Sequence, residues 1–577
     1  MPVRARSKQE LNYMPSKYMP AATSNLSMNS VQAEVSGADA GRTVSWRMWT
    51  SGIISALPSF LFGFCLSALN TALVTGDKSS ASECFTGEDR SCPPGSALRD
   101  LYLSTHLQEV ATTLLIAGAW LSSMVVSKPS DTLGRRRTLL LNNILFVGGG
   151  LLCAMAGGSS GLFAGRLIGG MGVGGGSGVV PVLLSEVSSP RNRGAVCSIH
   201  QLMINLGILS SGVLGYILVQ NVNHGWRYVQ AFIAVPALAQ LALASFVPES
   251  PRWLVKRGRL ADAKALMRKL HGGSRGPALE AAIDSEIAGM EGGKDDGKGS
   301  ASWGELWAHR RLVLLGATLM LFTAITGINT VIFYSTTIFE LAGVEQEVLA
   351  TVAVGLTLMV FTSVSGFLID KAGRRTLLLG GTTLMTVALG TLSLSLFKLN
   401  AAPRVQGYVA VVSTLVFIAG FSLGMGPVGW IYLAEIVPSR IRAKAFSVFT
   451  AINWGSNLFI GLFTLTAIDS VGAWLLPDAK SDREQRKAGV AGLYAVFASV
   501  CIVSVGFITV FVKETMGKSL EELNSSNVEE RGGSGAYGEG EETKRALLGG
   551  EGVGVLGEKE DLEVGDEEDH NIGRVAL

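Results

Sequence analysis

Charged side chains recur at matching places in the two halves of this 577-residue chain. An aspartate followed by a Gly-Arg-Arg segment occurs at residues 131–136 and again at residues 370–375. A glutamate followed seven residues later by an arginine also occurs once in each half. Such groups can form ion pairs that differ between two conformations, so the pattern predicts a charged latch. The alternative is that the basic residues only fix the orientation of the chain. The residues of the predicted latch are Arg135, Glu186, Arg193, Glu249, Arg252, Asp370, Arg374, Glu435 and Arg442.

A second group of polar side chains lies inside long apolar segments. Amide groups can pair with hydroxyls, and indole rings can pack against a flat molecular face, so together they suit an uncharged, polyhydroxylated ligand. The alternatives are hydrogen bonds between helices for the amides and lipid-interface anchoring for the indoles. The candidates are Gln201, Asn329, Trp430, Asn453, Trp454 and Asn457.

Long apolar segments must position both groups. The chain is 48% hydrophobic and 16% charged, against about 25% charged in soluble domains. A helix needs ~20 apolar residues to span a bilayer, so this composition disfavours a soluble cytosolic enzyme. The net charge of +2 argues against a nucleic-acid partner. Twelve spans are predicted, near residues 51–74, 108–127, 139–158, 162–185, 200–219, 228–247, 312–336, 349–369, 377–397, 408–434, 445–468 and 490–512.

The loops predict the orientation. No secretory signal is visible in the polar residues 1–47, and the loops after the second and fourth spans of each half are rich in Lys and Arg. The positive-inside rule then places both termini in the cytosol. Because the charge motifs return at equal helix ordinals, we predict an all-α membrane protein of two six-helix halves in parallel repeat, an architecture typical of transporters.

The domain prediction follows from these spans. A cytosolic segment, residues 1–47, precedes the first half, residues 48–247, and a cytosolic linker with short helices, residues 248–311, leads to the second half, residues 312–512. Residues 513–577 are rich in acid and read as a largely disordered cytosolic tail. The tail could bind cytosolic regulators, and a merely solvating tail is the alternative.

The cysteines and glycines suggest no cofactor chemistry. Cys84 and Cys92 fall in the longest predicted external loop, where a disulfide could form and two free thiols are the alternative. No Cys/His spacing indicates a metal. The run from Gly172 to Gly176 lies inside an apolar span with no preceding strand, so we interpret it as a close helix contact rather than a nucleotide loop.

Four motifs carry a family resemblance over residues 47–523. They are residues 248–254 (PESPRWL), 327–329 (GIN), 370–375 (DKAGRR) and 514–522 (ETMGKSLEE). Together and in this order they resemble the sugar porters of the major facilitator superfamily, most similarly the facilitative glucose transporters. The resemblance implies hexose transport across a membrane, expected to be the plasma membrane, with glucose as the expected substrate, no cofactor and no enzymatic reaction.

The resemblance also implies roles for residues. Gln201, Asn329, Trp430, Asn453 and Trp454 stand where the family contacts sugar, and Phe333 and Tyr334 where it has an exofacial aromatic gate. The chain departs from the pattern at other positions, so another hexose, a pentose or a polyol stays open as the substrate. The departures are Thr323 and Ala324 in place of two glutamines, Leu358 in place of an asparagine, and Ser422 where close mammalian relatives have a glutamate.

Coupling is predicted from the first span. Proton-linked relatives carry an aspartate there beside an arginine in the fourth span, whereas this chain has Cys65, and no acid occurs from residue 51 to 75. Arg166 keeps the cation without its usual partner. We therefore predict uniport. Two alternatives stay open: a proton symporter that uses Glu109, and a sugar receptor that does not transport.

Overall fold

The structure is a computed structural model that describes residues 46–73, 95–188, 193–270, 277–292, 303–342, 344, 347–397, 403–478 and 481–516. The predicted N-terminal segment up to residue 45, the predicted disulfide between Cys84 and Cys92, and the predicted tail from residue 517 lie outside these residues. The described secondary structure consists of α-helices and two short 3-10 turns.

The first half runs from residue 46 to 247 and contains four helices of 20 to 29 residues together with shorter ones. Its helices are α1 Trp46–Ser55, α2 Leu57–Ser67, α3 Ala97–Leu101, α4 Thr105–Val125, α5 Ser127–Leu133, α6 Arg135–Ala154, α7 Ser159–Val187, α8 Arg193–Asn221, α9 Gly225–Phe232 and α10 Ala234–Ala242. The 3-10 turns are Thr71–Leu73 and Ala244–Phe246.

The second half runs from residue 310 to 516 and follows a connecting segment of short helices. The connecting helices are α11 Pro251–Lys256, α12 Leu260–Leu270, α13 Pro277–Gly292 and α14 Trp303–Ala308. The helices of the second half are α15 Arg310–Ile325, α16 Ile328–Leu341, α17 Glu347–Ala372, α18 Arg374–Phe397, α19 Pro403–Leu423, α20 Met425–Ile436, α21 Ser439–Leu475 and α22 Asp482–Phe511.

The predicted number of spans is not confirmed. Among the described residues ten helical segments are long and apolar enough to cross a membrane, or eleven if the bent pair of α4 and α5 counts as one. The predicted sixth span, residues 228–247, is not one of them, and its residues are divided between α9 and α10 at Ile233. Pro236 has no N–H to donate to the carbonyl of Phe232, and this interrupts the helix.

Proline also bends the first span, and side chains from other helices repair the break. Pro58 leaves the carbonyl of Ile54 without its helical donor. The side-chain amide of Gln240 donates to that carbonyl at 2.6 Å, and the Gln240 oxygen accepts from the amide of Asn143 at 2.8 Å. Gln240 and Asn143 are fully buried. The bend between α1 and α2 is therefore held by α6 and α10 of the same half.

Glycine lets α7 pack directly on α4. A Cβ at Gly170 would lie 2.1 Å from the carbonyl oxygen of Leu115, and one at Gly174 would lie 2.1 Å from that of Ala119. No side chain fits at such distances, since the nearest atoms belong to the backbone. The interpretation of the run from Gly172 to Gly176 as a close helix contact is confirmed at Gly174, and Gly170 makes the same kind of contact one turn earlier.

The connecting helices α11 to α13 form a small cluster of their own. Leu254, Met267 and Ile283 belong to its buried apolar core. Arg268 forms two hydrogen bonds with Glu280 across the cluster, and these lower the pKa of the Glu280 carboxyl. Residues 260–270 of this linker form α12.

We call the end of the molecule that carries Arg135 and Arg374 the basic end. The other end, where α4 begins and α16 and α21 end, is called the opposite end. An α-helix rises about 1.5 Å per residue, so α4 separates its first residue from the basic end by roughly 30 Å.

Candidate functional site

Three predicted site amides meet in the second half. Gly327, with φ +91°, ends the run of α15 and lets α16 start in a new direction. This places Asn329 beside α21, where its amide nitrogen donates to the side-chain oxygen of Asn457. The Asn457 nitrogen donates in turn to the Asn453 oxygen at 3.2 Å. We call Asn329, Asn457 and Asn453 the amide ladder. All three are half-buried.

A second pair of amides lies on α8 of the first half. Gln201 donates to the side-chain oxygen of Asn205 at 3.2 Å. Asn205, 1% exposed, donates to the main-chain carbonyl of Leu358 in the other half at 3.2 Å. Asn205 is absent from the predicted site, although its position one helical turn after Gln201 could have indicated it. At Leu358, where the family pattern has an asparagine, a main-chain carbonyl accepts this hydrogen bond and the side chain is apolar.

Aromatic rings line the same region, but they do not share one contact. The Trp454 ring is buried and lies 5.7 Å from the Phe62 ring, centroid to centroid, across the two halves. The Trp430 ring lies 6.2 Å from that of Phe446, within the second half. Thr323 uses its hydroxyl inside its own helix, donating to the Leu319 carbonyl at 2.9 Å.

The opposite end is closed by a kink in α16. Tyr334 has φ −131° and ψ 15°, which breaks the helix there. Asn70 of the first half fills the gap, since its nitrogen donates to the Ile332 carbonyl at 3.1 Å and its oxygen accepts from the Thr336 N–H at 3.4 Å. These two groups would bond each other in an unbroken helix. The kink is therefore tied to the other half.

The two predicted aromatic gate residues lie at this kink. Phe333 and Tyr334 are 3% and 1% exposed, and the Tyr334 hydroxyl donates to the main-chain carbonyl of Gly461 at 3.1 Å. Both rings are thus enclosed on the closed side of the amide ladder.

Arg166 is buried without an acidic partner. Its guanidinium donates to the main-chain carbonyls of Cys65 at 2.8 Å and Ala111 at 3.0 Å. One nitrogen, Nη2, is buried without a hydrogen bond. Among the described residues no carboxylate forms an ion pair with the Arg166 guanidinium, and the residue of the first span beside it is the buried free thiol Cys65.

At the basic end each half repeats one arrangement of charges. Arg135 pairs with Glu186 at 3.0 Å, and Arg374 pairs with Glu435 at 2.9 Å. Glu249 accepts from the main-chain N–H of Arg135 at 2.8 Å, as Glu514 does from Arg374 at 2.9 Å. Each carboxylate thus caps the first turn of a helix, α6 or α18, where free N–H groups favour an anion.

Glycine makes room for these two carboxylates. Gly134 and Gly373 have φ +96° and +85°, and a Cβ on either would lie within 2.5 Å of a glutamate oxygen. Burial alone would raise the pKa of the Glu514 carboxyl, but several main-chain N–H groups donate to it and hold that pKa below its ordinary value. The donors belong to Met516, Arg374, Arg375 and Thr515.

The remaining residues of the predicted latch do not all form carboxylate pairs. Arg442 donates to the main-chain carbonyl of Val437 at 3.0 and 3.1 Å. Arg252 is exposed. The side chains of Arg193 and Asp370 lie outside the described residues. The ion pairs just given join residues of the same half.

Two helical halves with matched charge motifs, amide side chains in both halves and one closed end define a membrane transporter of the two-half class. Its family can be stated as well. The chain belongs to the sugar (and other) transporter family, which it matches over residues 50–526.

Named relatives differ in the sugar that their names state. The chain is 34% identical to plastidic glucose transporter 4 of Arabidopsis thaliana over 472 residues, covering 82% of this chain and 78% of the relative. It is 33% identical to the arabinose-proton symporter of Escherichia coli over 432 residues, covering 73% and 85%. The family is therefore one of sugar transporters rather than enzymes, and these names leave the sugar and the mechanism open.

A solved structure has the same fold. The inward open conformation of the xylose transporter XylE from E. coli superposes with a TM-score of 0.64 at 25% identity. The match covers 83% of this chain and 99% of that one. This likeness supports the assignment of the chain to the major facilitator fold.

Proposed function

We propose that the protein is a facilitative transporter that equilibrates a hexose, with glucose as the expected substrate, across a membrane. The observation that carries the uniport mechanism is the environment of Arg166, whose guanidinium is held by the main-chain carbonyls of Cys65 and Ala111. A buried thiol is a poor proton carrier at neutral pH. The first span therefore lacks a group that could couple a proton to sugar movement.

The amide ladder and the amide of Gln201 are the proposed sugar contacts. They offer donors and acceptors without a formal charge, which suits hydroxyl groups in a half-buried site. Trp430 and Trp454 supply the apolar faces, and the buried hydroxyl of Thr323 completes the set. Long amides are missing at residues 323 and 324, so weaker discrimination among sugars is expected than in a site that pairs more hydroxyls.

The contacts support an inward-facing state. Asn70 ties the halves together at the opposite end, while Arg135 and Arg374 pair inside their own halves at the basic end. We propose that the basic end and both termini are cytosolic, and that the predicted latch residues exchange partners across the halves when the opposite end opens.

Two proposals lie outside this geometry. A disulfide between Cys84 and Cys92 is proposed for the external loop. The acidic tail is proposed to bind cytosolic regulators.

The expected location is the plasma membrane, with a plastid envelope as the alternative because the Arabidopsis relative is plastidic. A fluorescent fusion, imaged beside markers of both membranes, decides between them.

Uptake by the purified protein in liposomes tests the mechanism. Radiolabelled glucose should enter until its concentrations inside and outside are equal, at a rate that changes little with a pH gradient or a membrane potential. Galactose, xylose and a polyol, used as competitors, rank the substrates. Accumulation of sugar under an inward proton gradient, abolished by a protonophore, would establish symport. Binding without uptake would establish a receptor.

The symport alternative has one observation in its favour. Glu109 is a carboxyl group with 1% exposure inside the apolar region, and buried acids in transporters often carry protons. It lies on α4, and Arg166 donates to the main chain of that same helix at Ala111. The Glu109→Gln variant in the same liposomes should equilibrate sugar in uniport and lose accumulation in symport.

A further inference from the structure

A buried carboxylate joins the two halves at the opposite end. Glu109 lies on α4 of the first half, and Thr466 lies on α21 of the second. Oε1 of Glu109 accepts from the main-chain N–H of Thr466, and Oε2 accepts from the hydroxyl of the same residue, each at 2.7 Å. One acid thus receives two hydrogen bonds from a single residue across the interface.

The surroundings of Glu109 leave Thr466 as its principal partner. The nearest basic side chain among the described residues is His106 on the same helix, whose Nδ1 lies 3.6 Å away and whose side chain is 84% exposed. Tyr334 lies on the neighbouring α16, but its hydroxyl is engaged with Gly461. When the halves separate at this end, Glu109 loses both donors and must be hydrated instead.

Hydrogen bonds to an ionised group are roughly twice as strong as those between neutral groups, and they gain further in an apolar surrounding. A carboxylate that accepts these hydrogen bonds only while the opposite end is closed stabilises that state selectively. Such a difference shifts the balance between the two states without any contact with sugar. Asn70 adds contacts at the same end, but they involve an uncharged amide.

We propose that Glu109 and Thr466 form an opposite-end clasp that stabilises the state closed at that end. Glu109 is then a positioning residue for alternating access and not a proton carrier. This inference rests on the proposed transport function and assigns a role to an acid that the predicted site and the predicted latch do not use.

Hydrogen–deuterium exchange of the full-length protein in nanodiscs tests the clasp. Glu109→Gln should shift the population toward the state open at the opposite end by about fivefold, and Thr466→Val by about threefold. Exchange in peptides covering residues 105–116 and 462–472 should rise. Thr466→Ser keeps the hydroxyl and should behave like the parent.

A matched control lies on α21, the helix that carries Thr466. Asp469 pairs with Arg486 of its own half at 2.8 Å, so Asp469→Asn removes a carboxylate without touching the interface. It should leave the balance unchanged. In the clasp variants, exchange at the basic end, in peptides covering residues 131–137 and 370–376, should fall as that end closes.

Three results would overturn the clasp. One is an exchange pattern of Glu109→Gln that matches that of Asp469→Asn. Another is a rise in exchange at both ends, which would mean general loosening. The third is sugar accumulation in the parent that Glu109→Gln abolishes, which would make Glu109 a proton carrier. A parent that moves no sugar would refute the proposed function, and the exchange data would still test the clasp.

Discussion

Replacing Asn329 by alanine removes one end of the amide ladder. The variant loses the hydrogen bond to Asn457 and any bond from this amide to a sugar hydroxyl. A polar group left unpaired in a buried site costs about 1–3 kcal/mol. Since 1.4 kcal/mol corresponds to a factor of ten, sugar affinity should fall roughly 5- to 150-fold.

Glucose uptake into liposomes, measured over a range of concentrations with equal amounts of folded protein, gives the apparent KM and the maximal rate. For Asn329→Ala the apparent KM should rise while the maximal rate changes little, because the lost contact serves binding in both states. Asn221→Ala is the control. Its exposed amide bonds the Ile217 carbonyl at the end of α8, away from the ladder, at 2.8 Å. An apparent KM for Asn329→Ala within twofold of the parent would refute the assignment.

Four further predictions concern the basic end and residue 65. Glu435→Gln or Arg442→Ala should weaken the predicted latch and raise the inward-facing fraction by about three- to tenfold, read as lower reactivity of an outward-facing reporter cysteine; equal reactivity in parent and variant would contradict this. Cys65→Asp should give pH-sensitive uptake in liposomes, and a flat pH profile would show that an acid at this position is insufficient. Gly373→Ala should cost about 1–2 kcal/mol from positive φ alone, seen as a lower melting temperature, and an unchanged value would be contrary. Glu514→Gln should lower the melting temperature at neutral pH. Because the pKa of Glu514 is depressed in the folded protein, the difference in melting temperature between parent and variant should shrink as the pH falls from the ordinary pKa of a glutamate through the pKa of Glu514 in the folded protein. A difference that does not depend on pH would argue against the depressed pKa.

Local patterns in the sequence predicted the parts of the molecule that depend on local chemistry. The repeated Gly-Arg-Arg segments are helix starts in both halves, and Arg135 and Arg374 are each paired with a glutamate of the same half. Asn453 and Asn457 are neighbours because they are one helical turn apart on α21, a spacing visible in the sequence. Asn329 joins them from α16.

Contacts between distant helices could not be read in this way. Glu109 and Thr466 are 357 residues apart, and no periodicity indicates which face of α4 meets α21. The contact of Asn205 with Leu358 has no counterpart in residue types, because the partner is a main-chain carbonyl. The division of the sixth span at Ile233 follows from Pro236, a signal that the apolar run concealed.

The breaks in the long helices have different causes in the two halves. In the first half, Pro58 and Pro236 interrupt hydrogen bonding, and the backbone at Ile233 stays in the right-handed helical region. In the second half, Gly327 takes φ +91° and Gly424 takes φ −118° with ψ −93°. A proline ring stiffens a bend, whereas a glycine lets a joint rotate. The first half therefore has stiff bends, whereas the second half has two glycine joints at which the chain can rotate, beside the amide ladder and Trp430.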